Sequence, residues 1–516
     1  MVAVVFDAKH NMLPSLIILC TIALGKLSVS AYGQSLPVQM RLQDEPIDIA
    51  ESVQRISSMR HQPWKKKVDA NDNEDLDNET DISAAVTKAR GATFFRKQAD
   101  RQADFVSAVD YLQPGQSASD FMNGKIDAEP AIAAALATGK SVQLPCGYYL
   151  LNEPLPTLTQ FGQALSGVSQ SCTTIAVNFS SGDVIKYTGS YQAIHDLEFY
   201  VTKQMTLGAV IHAYKSGVSQ LYNLNVQGGV YNGIVVDGAN GTHITHVVLQ
   251  PPFLPGVIAL NPQLGPAYAG NSGITVTGDK VTGVLSVDTF INDVNISQYK
   301  FGLYVDYASG IYSGSGLDIV GSLHALIFTP GNGETVNGVQ FTNVLGDTSY
   351  SDNWYFTGSG LINEIMCVNC WASSSITGAG LKADNLNVGS GQITFNSSTF
   401  LNNFAQGLNL NGMANWNLTN DVFEMNSRQG RSKAPDIGIY KNAGDFIRIQ
   451  NSFIGKGGRI AALGAPSNAT YAVDAIDYHL SGHLILSGNQ ASSHTVRMFN
   501  LPSNKGNVIV VDNQGN

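Results

Sequence analysis

Charged side chains are scarce in this chain of 516 residues: they make up 14% of it, and the net charge is -10. Without a basic excess the chain has little means of holding a phosphate backbone, which argues against nucleic acid as a partner. Helix-forming residues are also few beside 52 glycines and abundant Asn, Ser and Thr. This composition argues against an all-α or α/β core and indicates many turns and short strands.

The chain also lacks a long apolar run at its start. Residues 12–24 are apolar and follow Lys9 and His10, but a membrane span needs about 20 such residues. Small residues at Ala31 and Gly33 predict a signal-peptidase site, so residues 1–33 are predicted to be a signal peptide. The mature protein would then be secreted or periplasmic, without a membrane span. An uncleaved N-terminal anchor is the alternative.

Cysteine is rare, with five residues in all, and Cys20 lies in the predicted leader. An even count of four in an exported chain permits disulfides, and Cys146 with Cys172 is the predicted pair. Cys367 and Cys370 form one isolated CxxC, which is a weak zinc signal, and no metal site is predicted. Extended residues three apart are too distant for an easy bridge, so these two are predicted to be unbridged structural cysteines.

Residues 34–116 are rich in mixed charge and poor in apolar residues at either helical or strand period. Such a segment cannot bury enough apolar surface to offset the loss of chain entropy on folding. We therefore interpret it as a mostly disordered linker before a domain at residues 117–516.

The start of that domain has a specific order of elements. Residues 126–139 predict a short amphipathic helix, with Asp127 suited to the N-cap, Pro130 to the first turn and Gly139 to the C-cap. Residues 141–151, SVQLPCGYYLL, then predict strand, tight turn and strand. Together these segments resemble the opening of the pectate-lyase-like superfamily, in which a helix with the pattern D…A-I-x-x-A-L…G precedes V-x-L-P-x-G-x-Y. The resemblance implies an all-β fold, a right-handed parallel β-helix whose open end is covered by the helix.

The rest of the chain repeats in the manner of a solenoid. An apolar-x-apolar-x-Asn/Ser segment recurs at residues 339–343, 365–369, 393–397, 416–420 and 447–451, with looser copies at 197–200, 224–227, 294–297 and 317–320. Alternation at period two predicts that the middle apolar residues point inward and stack; these are Phe341, Cys367, Phe395, Leu418 and Ile449. Asn343, Asn369, Asn420 and Asn451 are predicted to form an amide ladder at one corner. One such unit cannot bury its apolar face alone, so the copies are expected to stack as coils. About ten or more coils are expected.

Fold alone does not select an activity. The resemblance covers roughly four-fifths of the chain and implies pectate lyases, polygalacturonases, rhamnogalacturonases, epimerases or tailspike hydrolases. The chain has no Asp-Asp pair, no Gly-His-Gly in the polygalacturonase order and no Asp-Pro-His of alginate epimerases. It also lacks a complete pectate-lyase signature, so calcium, which such a lyase would need, remains an open cofactor.

Candidate catalytic residues follow from charge within the coils. Asp318 is taken as an outward mid-strand carboxylate aligned with Gln340 and Arg448. The remaining candidates lie in turns or at strand ends of neighbouring coils: Glu364, Lys382, Asp384, Asp421, Glu424 and Arg428. Two carboxylates of this set would suit hydrolysis of a glycosidic bond. A carboxylate with Lys382 or Arg428 would suit β-elimination on a uronate.

Aromatic residues mark a predicted substrate-binding region in the same coils. Trp354 is the predicted sugar platform, because an aromatic ring packs against sugar C–H groups, and Tyr350, Asp347 and Asp352 lie beside it. Trp416 aligns with inward positions and is predicted to be core. The sequence thus favours a secreted carbohydrate-active enzyme, a polysaccharide lyase or glycoside hydrolase. The alternative is a non-catalytic β-helix that binds polysaccharide or a surface, and the predicted leader argues against a virus tailspike.

Overall fold

The structure is a computed structural model describing residues 105–251, 270–428, 434–440, 443–455, 469–478, 482–492, 497–503 and 507–515, and the backbone of short strands before them. The chain divides into residues 1–81 and residues 82–516. In the first unit, strands Leu19–Ala23, Lys26–Ala31 and Gln34–Ser35 pair antiparallel. In the second, Val86–Thr87 pairs antiparallel with Arg96–Lys97. Among the described residues, no helix is both long and apolar enough to cross a membrane.

Residues from 105 onward wind into a parallel β-helix with three faces, as the resemblance implies. The described strands form a bent 26-stranded sheet, which supplies two faces, and a 12-stranded sheet, which supplies the third. Along the chain each coil passes from the first face through a sharp corner to the second face and then to the third. Parallel pairing between successive coils runs through all three faces, and the apolar residues point into a common core.

The first face is built from strands Phe105–Ser107, Ser141–Gln143, Ala164–Ser166, Ala308–Ser313, Thr335–Thr342, Leu361–Val368, Gly391–Asn396, Ala414–Thr419, Ile447–Gln450, Leu484–Ser487 and Val508–Val511. The second face contains Asn123–Asp127, Gly147–Leu151, Thr173–Val177, Leu317–Val320, Val344–Asp347, Trp371–Ser373, Thr399–Leu401, Val422–Glu424, Phe453–Gly455, Gln490–Ser492 and Gln514–Gly515. Four longer strands bend across the corner and serve both faces: Gln192–Val201, Ser219–Gly228, Thr242–Gln250 and Ser286–Ser297.

The third face is a separate ladder. Its strands are Ile185–Tyr187, Ala209–Tyr214, Asn232–Asp237, Gly270–Thr277, Tyr299–Val305, His324–Phe328, Trp354–Phe356, Leu381–Ala383, Leu408–Leu410, Ile437–Ile439, Tyr471–Asp474 and Arg497–Asn500.

The predicted internal stack is confirmed. Phe341, Cys367, Phe395, Leu418 and Ile449 are register partners in successive coils, and each is at most 1% exposed. Their burial on the first face removes the apolar side of every strand from water, which stabilises a coil only when its neighbours are in place.

The four asparagines of the predicted amide ladder do lie at one corner, but the Asn420 amide donates to Asn396 at 3.3 Å and not to a member of the ladder. Asn343, Asn369, Asn420 and Asn451 all have left-handed backbone, with φ between 51° and 59°. The Asn369 amide donates to the Asn343 side-chain oxygen at 2.6 Å. Asparagine tolerates this conformation better than other side chains that carry a Cβ, which explains its recurrence where the chain turns from the first face to the second.

The predicted helix forms at Glu129–Leu136, with Pro130 in its first turn and Gly139 at φ 76° after it. Its N-cap is Ala128, one residue later than predicted, and Asp127 instead accepts a hydrogen bond from the Glu129 amide at 3.1 Å. Ile132 and Leu136 on this helix pack into the same core as the coils. A second helix, Ala118–Met122, and a 3-10 helix, Ala108–Tyr111, precede it.

The predicted domain boundary at residue 117 is wrong, because the β-helix begins before it. Strand Phe105–Ser107 pairs in parallel with Ser141–Gln143, and Ala108 is buried in the core. Residues 105–116 therefore belong to the β-helix and not to the predicted linker. The dense charge just upstream hid the short apolar segment that starts the first coil. Of the predicted signal peptide the structure describes only the backbone of strands Leu19–Ala23 and Lys26–Ala31, and most of the linker lies outside the described residues. The cleavage site stays a prediction.

Two cysteine pairs are bonded in the structure. Cys146 is joined to Cys172, the pair expected from the sequence. Cys367 is also joined to Cys370, which contradicts the interpretation as unbridged residues. That interpretation assumed extended backbone, but left-handed Asn369 bends the chain between the two and leaves their Cα atoms 6.0 Å apart.

Candidate functional site

The third face brings together predicted residues that the sequence could only place in separate turns. The Lys382 ammonium lies 3.1 Å from a carboxylate oxygen of Asp384, and the Tyr355 hydroxyl donates to the same oxygen at 2.9 Å. The ammonium also lies 4.9 Å from the centre of the Tyr355 ring. Lys382 and Tyr355 point outward from register partners in adjacent coils. We call Tyr355, Lys382, Asp384 and the two residues described next the Lys382 cluster.

Asp352 and His324 complete the Lys382 cluster. Asp352 is 8% exposed, and one of its carboxylate oxygens accepts the Ala379 amide at 2.7 Å. The His324 ring lies 2.8 Å from the Asp352 backbone carbonyl and stacks on Tyr355 with 5.1 Å between ring centres. Burial raises the pKa of Asp352, and the charge of Asp384 raises it further. Burial lowers the pKa of His324.

Lys382 keeps its proton. Burial opposes the charged form, but the hydrogen bond and charge of Asp384 outweigh it, so the pKa of Lys382 is raised. An ammonium of raised pKa is a poor proton acceptor at neutral pH. Lys382 is therefore suited to binding or charge stabilisation and not to removing a proton from a sugar.

A cavity of about 470 Å³ opens beside Lys382. Asn409 follows Lys382 in register, and Asn411, Tyr440 and Asp477 line the remaining walls. The size lies within the range of small-molecule sites, roughly 300–1,000 Å³. An ammonium, two amides, a phenol and a carboxylate offer donors and acceptors suited to sugar hydroxyl groups.

Asp318 and Asp347 lie on the second face, away from this cavity. Asp318 is the register partner of Leu345, and Asp347 lies two residues further along that strand. Coil spacing and strand rise place their Cα atoms roughly 8 Å apart. Burial raises the pKa of Asp318, with a smaller contribution from Asp347. Asp347 accepts hydrogen bonds from Ser373 at 2.8 Å and Thr348 at 3.2 Å.

The predicted alignment of Asp318 with Gln340 and Arg448 is wrong. The structure places Gln340 and Arg448 on the first face, whereas Asp318 is on the second. Both faces use short alternating strands that end in a polar corner. The looser copies of the repeat at residues 197–200, 224–227, 294–297 and 317–320 all lie on the second face, whereas the five clear copies lie on the first, so the repeat combined two faces.

Trp354 is not a sugar platform, because it is fully buried. Its ring packs in the core, 6.2 Å from Phe341 and 5.5 Å from Phe395 between centres. The third-face strand begins at Trp354, and the alternation turns Tyr355 outward instead. Trp416 is buried, as predicted. Tyr350 lies half-buried in the preceding turn.

The remaining candidates do not join the Lys382 cluster. Glu364 is exposed at a left-handed position of the first face, with φ 56°. Asp421 is fully buried and accepts the Ser398 amide at 2.7 Å, so it belongs to an internal turn. Glu424 is 3% exposed at the end of a second-face strand. Arg428 is exposed and donates to the Ser375 carbonyl at 2.5 Å. None of the four lines the cavity.

Sequence reasoning missed His324, Tyr355, Asn409 and Tyr440. Lys382 and Asn409 are register partners and occupy the same position of a Gly-apolar-x-apolar-Asn/Asp repeat at residues 380–384 and 407–411. The register partner of Asn409 in the next coil is Gly438, and Tyr440 lies two residues beyond it. A polar residue at the outward position of this repeat was the available signal for Asn409. In the described part of the chain, no group of three or more His, Cys, Asp or Glu residues is placed to hold a metal ion.

No protein-family model matches this chain, and no curated protein matches it. Solved structures resemble it at low identity. The A-module of mannuronan C-5 epimerase AlgE4 from Azotobacter vinelandii is 14% identical, with 79% of this chain and 100% of that chain covered and a TM-score of 0.47. The surface adhesin PfbA of Streptococcus pneumoniae is 12% identical, with coverages of 79% and 92% and a TM-score of 0.39.

The catalytic unit of a GH87 alpha-1,3-glucanase from Streptomyces thermodiastaticus is 14% identical, with coverages of 84% and 70% and a TM-score of 0.35. An epimerase, an adhesin and a glucanase thus stand together, and similarity at this level concerns fold and not activity. The stacked parallel faces of this chain are consistent with the fold of the pectate-lyase-like superfamily.

Proposed function

We propose that this chain is a secreted glycoside hydrolase that binds a polysaccharide along its third face. The observation that carries the proposal is the Lys382 cluster beside an open cavity of about 470 Å³. It contains two carboxyl groups in different surroundings, a buried Asp352 of raised pKa and an Asp384 held by an ammonium and a phenol. Two carboxyl groups with different protonation are the requirement for acid-assisted glycosidic cleavage.

In this proposal Asp352 is the general acid. Its carboxyl proton passes to the glycosidic oxygen as the bond to the anomeric carbon breaks. Water adds its oxygen to that carbon and gives a proton to the Asp384 carboxylate, which accepts hydrogen bonds from Lys382 and Tyr355. Lys382 binds this carboxylate and does not act as a base. This separation of roles favours hydrolysis over β-elimination with Lys382 as the base.

A non-catalytic polysaccharide-binding protein is the second candidate. It is favoured by the small exposure of Asp352, 8%, and by the two donors that already engage Asp384.

Export is supported by the two disulfides among the described residues, because such bonds persist in oxidising compartments.

The test uses Asp352→Asn and Asp384→Asn against a panel of neutral and acidic polysaccharides. We expect reducing ends from the parent protein and a loss of about 100-fold or more in each variant, because each removes one proton-transfer group. Activity of the parent should also fall as pH rises through the raised pKa of Asp352. Absorbance of a 4,5-unsaturated uronate in the same assay would show elimination instead.

Two controls make this result specific. Glu198→Gln changes an outward carboxylate on the second face that is held by Thr174 and Asn225, and it should retain full activity. Asp318→Asn with Asp347→Asn removes the second-face pair. If this double variant loses cleavage while the Asp352 and Asp384 variants remain active, the third-face proposal is wrong. If the parent cleaves nothing but binds a polymer, the non-catalytic function holds.

A further inference from the structure

The cavity beside Lys382 carries more negative than positive charge among the described residues. The one ammonium that lines it is compensated by Asp384. Asp477 lines the cavity as well, and Asp474 lies close enough to influence Tyr440. Asp474 is held by neutral donors, the Ile476 amide at 3.2 Å and the Asn500 amide group at 2.9 Å. A sugar acid placed here would therefore meet carboxylates of like charge.

The ring of Tyr440 lies over the backbone of Ile437–Ile439, the strand that it follows. A Cβ built on Gly438 would come within 2.7 Å of the Tyr440 hydroxyl and 2.8 Å of its ring, so only glycine leaves room for this placement. The Gln406 amide donates to the Tyr440 hydroxyl at 2.7 Å and holds the ring in position. Because this hydroxyl accepts from Gln406, its own proton remains available for donation. The side chain thus offers a fixed, half-buried aromatic surface in the cavity.

We infer that the cavity takes a neutral hexose unit, stacked on Tyr440 and bonded through its hydroxyl groups to Asn409 and Asp477, and that it discriminates against uronates. This inference rests on the proposed function in that it names the sugar class of the same site. A carboxylate accepts hydrogen bonds from neighbouring sugar hydroxyl groups, and a side-chain amide both donates and accepts them. An aromatic ring covers the C–H face of the sugar. The paired Lys382 contributes a donor without adding net positive charge.

The test measures binding separately from cleavage. All binding measurements are made in the Asp352→Asn background, because this substitution is expected to stop hydrolysis and Asp352 does not line the cavity. Calorimetric titrations would use neutral oligosaccharides of glucose, mannose and galactose, together with oligogalacturonate and oligomannuronate. We expect at least one neutral series to bind and both uronate series to bind at least 10-fold more weakly. Tyr440→Ala should weaken neutral-sugar binding about 10-fold.

Gly438→Ala provides a sharper variant, because it displaces the Tyr440 ring without removing it and should weaken binding to a similar extent. Its matched control is Gly314→Ala, where an added Cβ meets nothing closer than 3.7 Å and binding should be unchanged. Thermal unfolding verifies that each variant folds. Binding of uronates in preference to every neutral series, or neutral binding unaffected by Tyr440→Ala, would overturn the inference. The binding measurements do not require cleavage. If the protein cleaves no polymer, the hydrolase proposal fails, and the binding measurements still test the sugar class.

Discussion

Asp421 is a carboxylate that was expected at the surface and is buried in the interior. It sits in a column of turn residues linked by backbone hydrogen bonds, in which Ser398, Ser452 and Asn489 occupy neighbouring coils. Asn489 donates its amide to the Ile449 carbonyl at 2.9 Å, a contact that an ionised carboxylate cannot make. Burial raises the pKa of Asp421 to about 7. Asp421 is therefore part of a buried turn, and its ionisation at neutral pH costs stability.

We expect Asp421→Asn to stabilise the protein at neutral pH. The folded state binds the Asp421 proton more tightly than the unfolded state, so the free energy of unfolding falls as pH rises from about 4 to about 7. The variant should remove this decline and gain at most about 4 kcal/mol at pH 8. Denaturant unfolding at pH 4 and pH 8 measures the difference. Equal pH slopes for variant and parent would contradict the assignment.

Two tryptophans, Trp354 in the core and Trp371 at the surface, should differ in how much they contribute to the free energy of unfolding. Trp354→Ala should cost about 3–5 kcal/mol in the free energy of unfolding, because it empties a fully buried site between Phe341 and Phe395. Trp371→Ala, at a half-buried outward position of the second face, should cost much less. Chemical denaturation of both variants tests the pair. Similar losses would argue that Trp354 is not a core residue.

At the scale of elements, the left-handed corner decides where each coil bends. The coils need not share a residue there, yet asparagine, aspartate, serine and glycine occupy most of these positions; the members with φ near 55° include Asp196, Asn223, Asp293, Asn343, Asn369, Ser397, Asn420 and Asn451. A left-handed backbone costs roughly 1–2 kcal/mol for most residues with a Cβ, and local hydrogen bonds offset that cost for asparagine.

We expect Asn369→Ala to destabilise the protein by about 1–2 kcal/mol, since alanine pays the backbone cost and loses the hydrogen bond to Asn343. Asn369→Gly should lose less, because glycine adopts this conformation freely. Thermal unfolding of the two variants gives the comparison. Equal losses for the two variants would mean that the side-chain hydrogen bond to Asn343, which both variants lack, and not the left-handed backbone, governs this corner.

At the scale of the molecule, a β-helix is nearly one-dimensional, so a local loss of stability stays local. The Cys146–Cys172 bond links second-face coils near the start of the helix and closes a segment of 26 residues. Replacing both cysteines with serine should cost about 3 kcal/mol in those coils. Hydrogen exchange should rise for strands between residues 123 and 177 and remain unchanged beyond residue 391. A uniform increase over the whole helix would show that it unfolds as one unit.

The strand period, the asparagine corner and the inward stack were determined by the sequence alone, because alternation and left-handed turns are local properties of a few neighbouring residues. Which face a strand joins was not, since the first and second faces share one pattern; Asp318 was misplaced for that reason. Tertiary structure alone decided that Trp354 is buried while Tyr355 faces outward. It also decided that Lys382, which is bound by Asp384, lines one cavity together with Tyr440, 58 positions further along the chain. Register between coils fixes such neighbours, and register depends on loop lengths and core packing that no single segment contains.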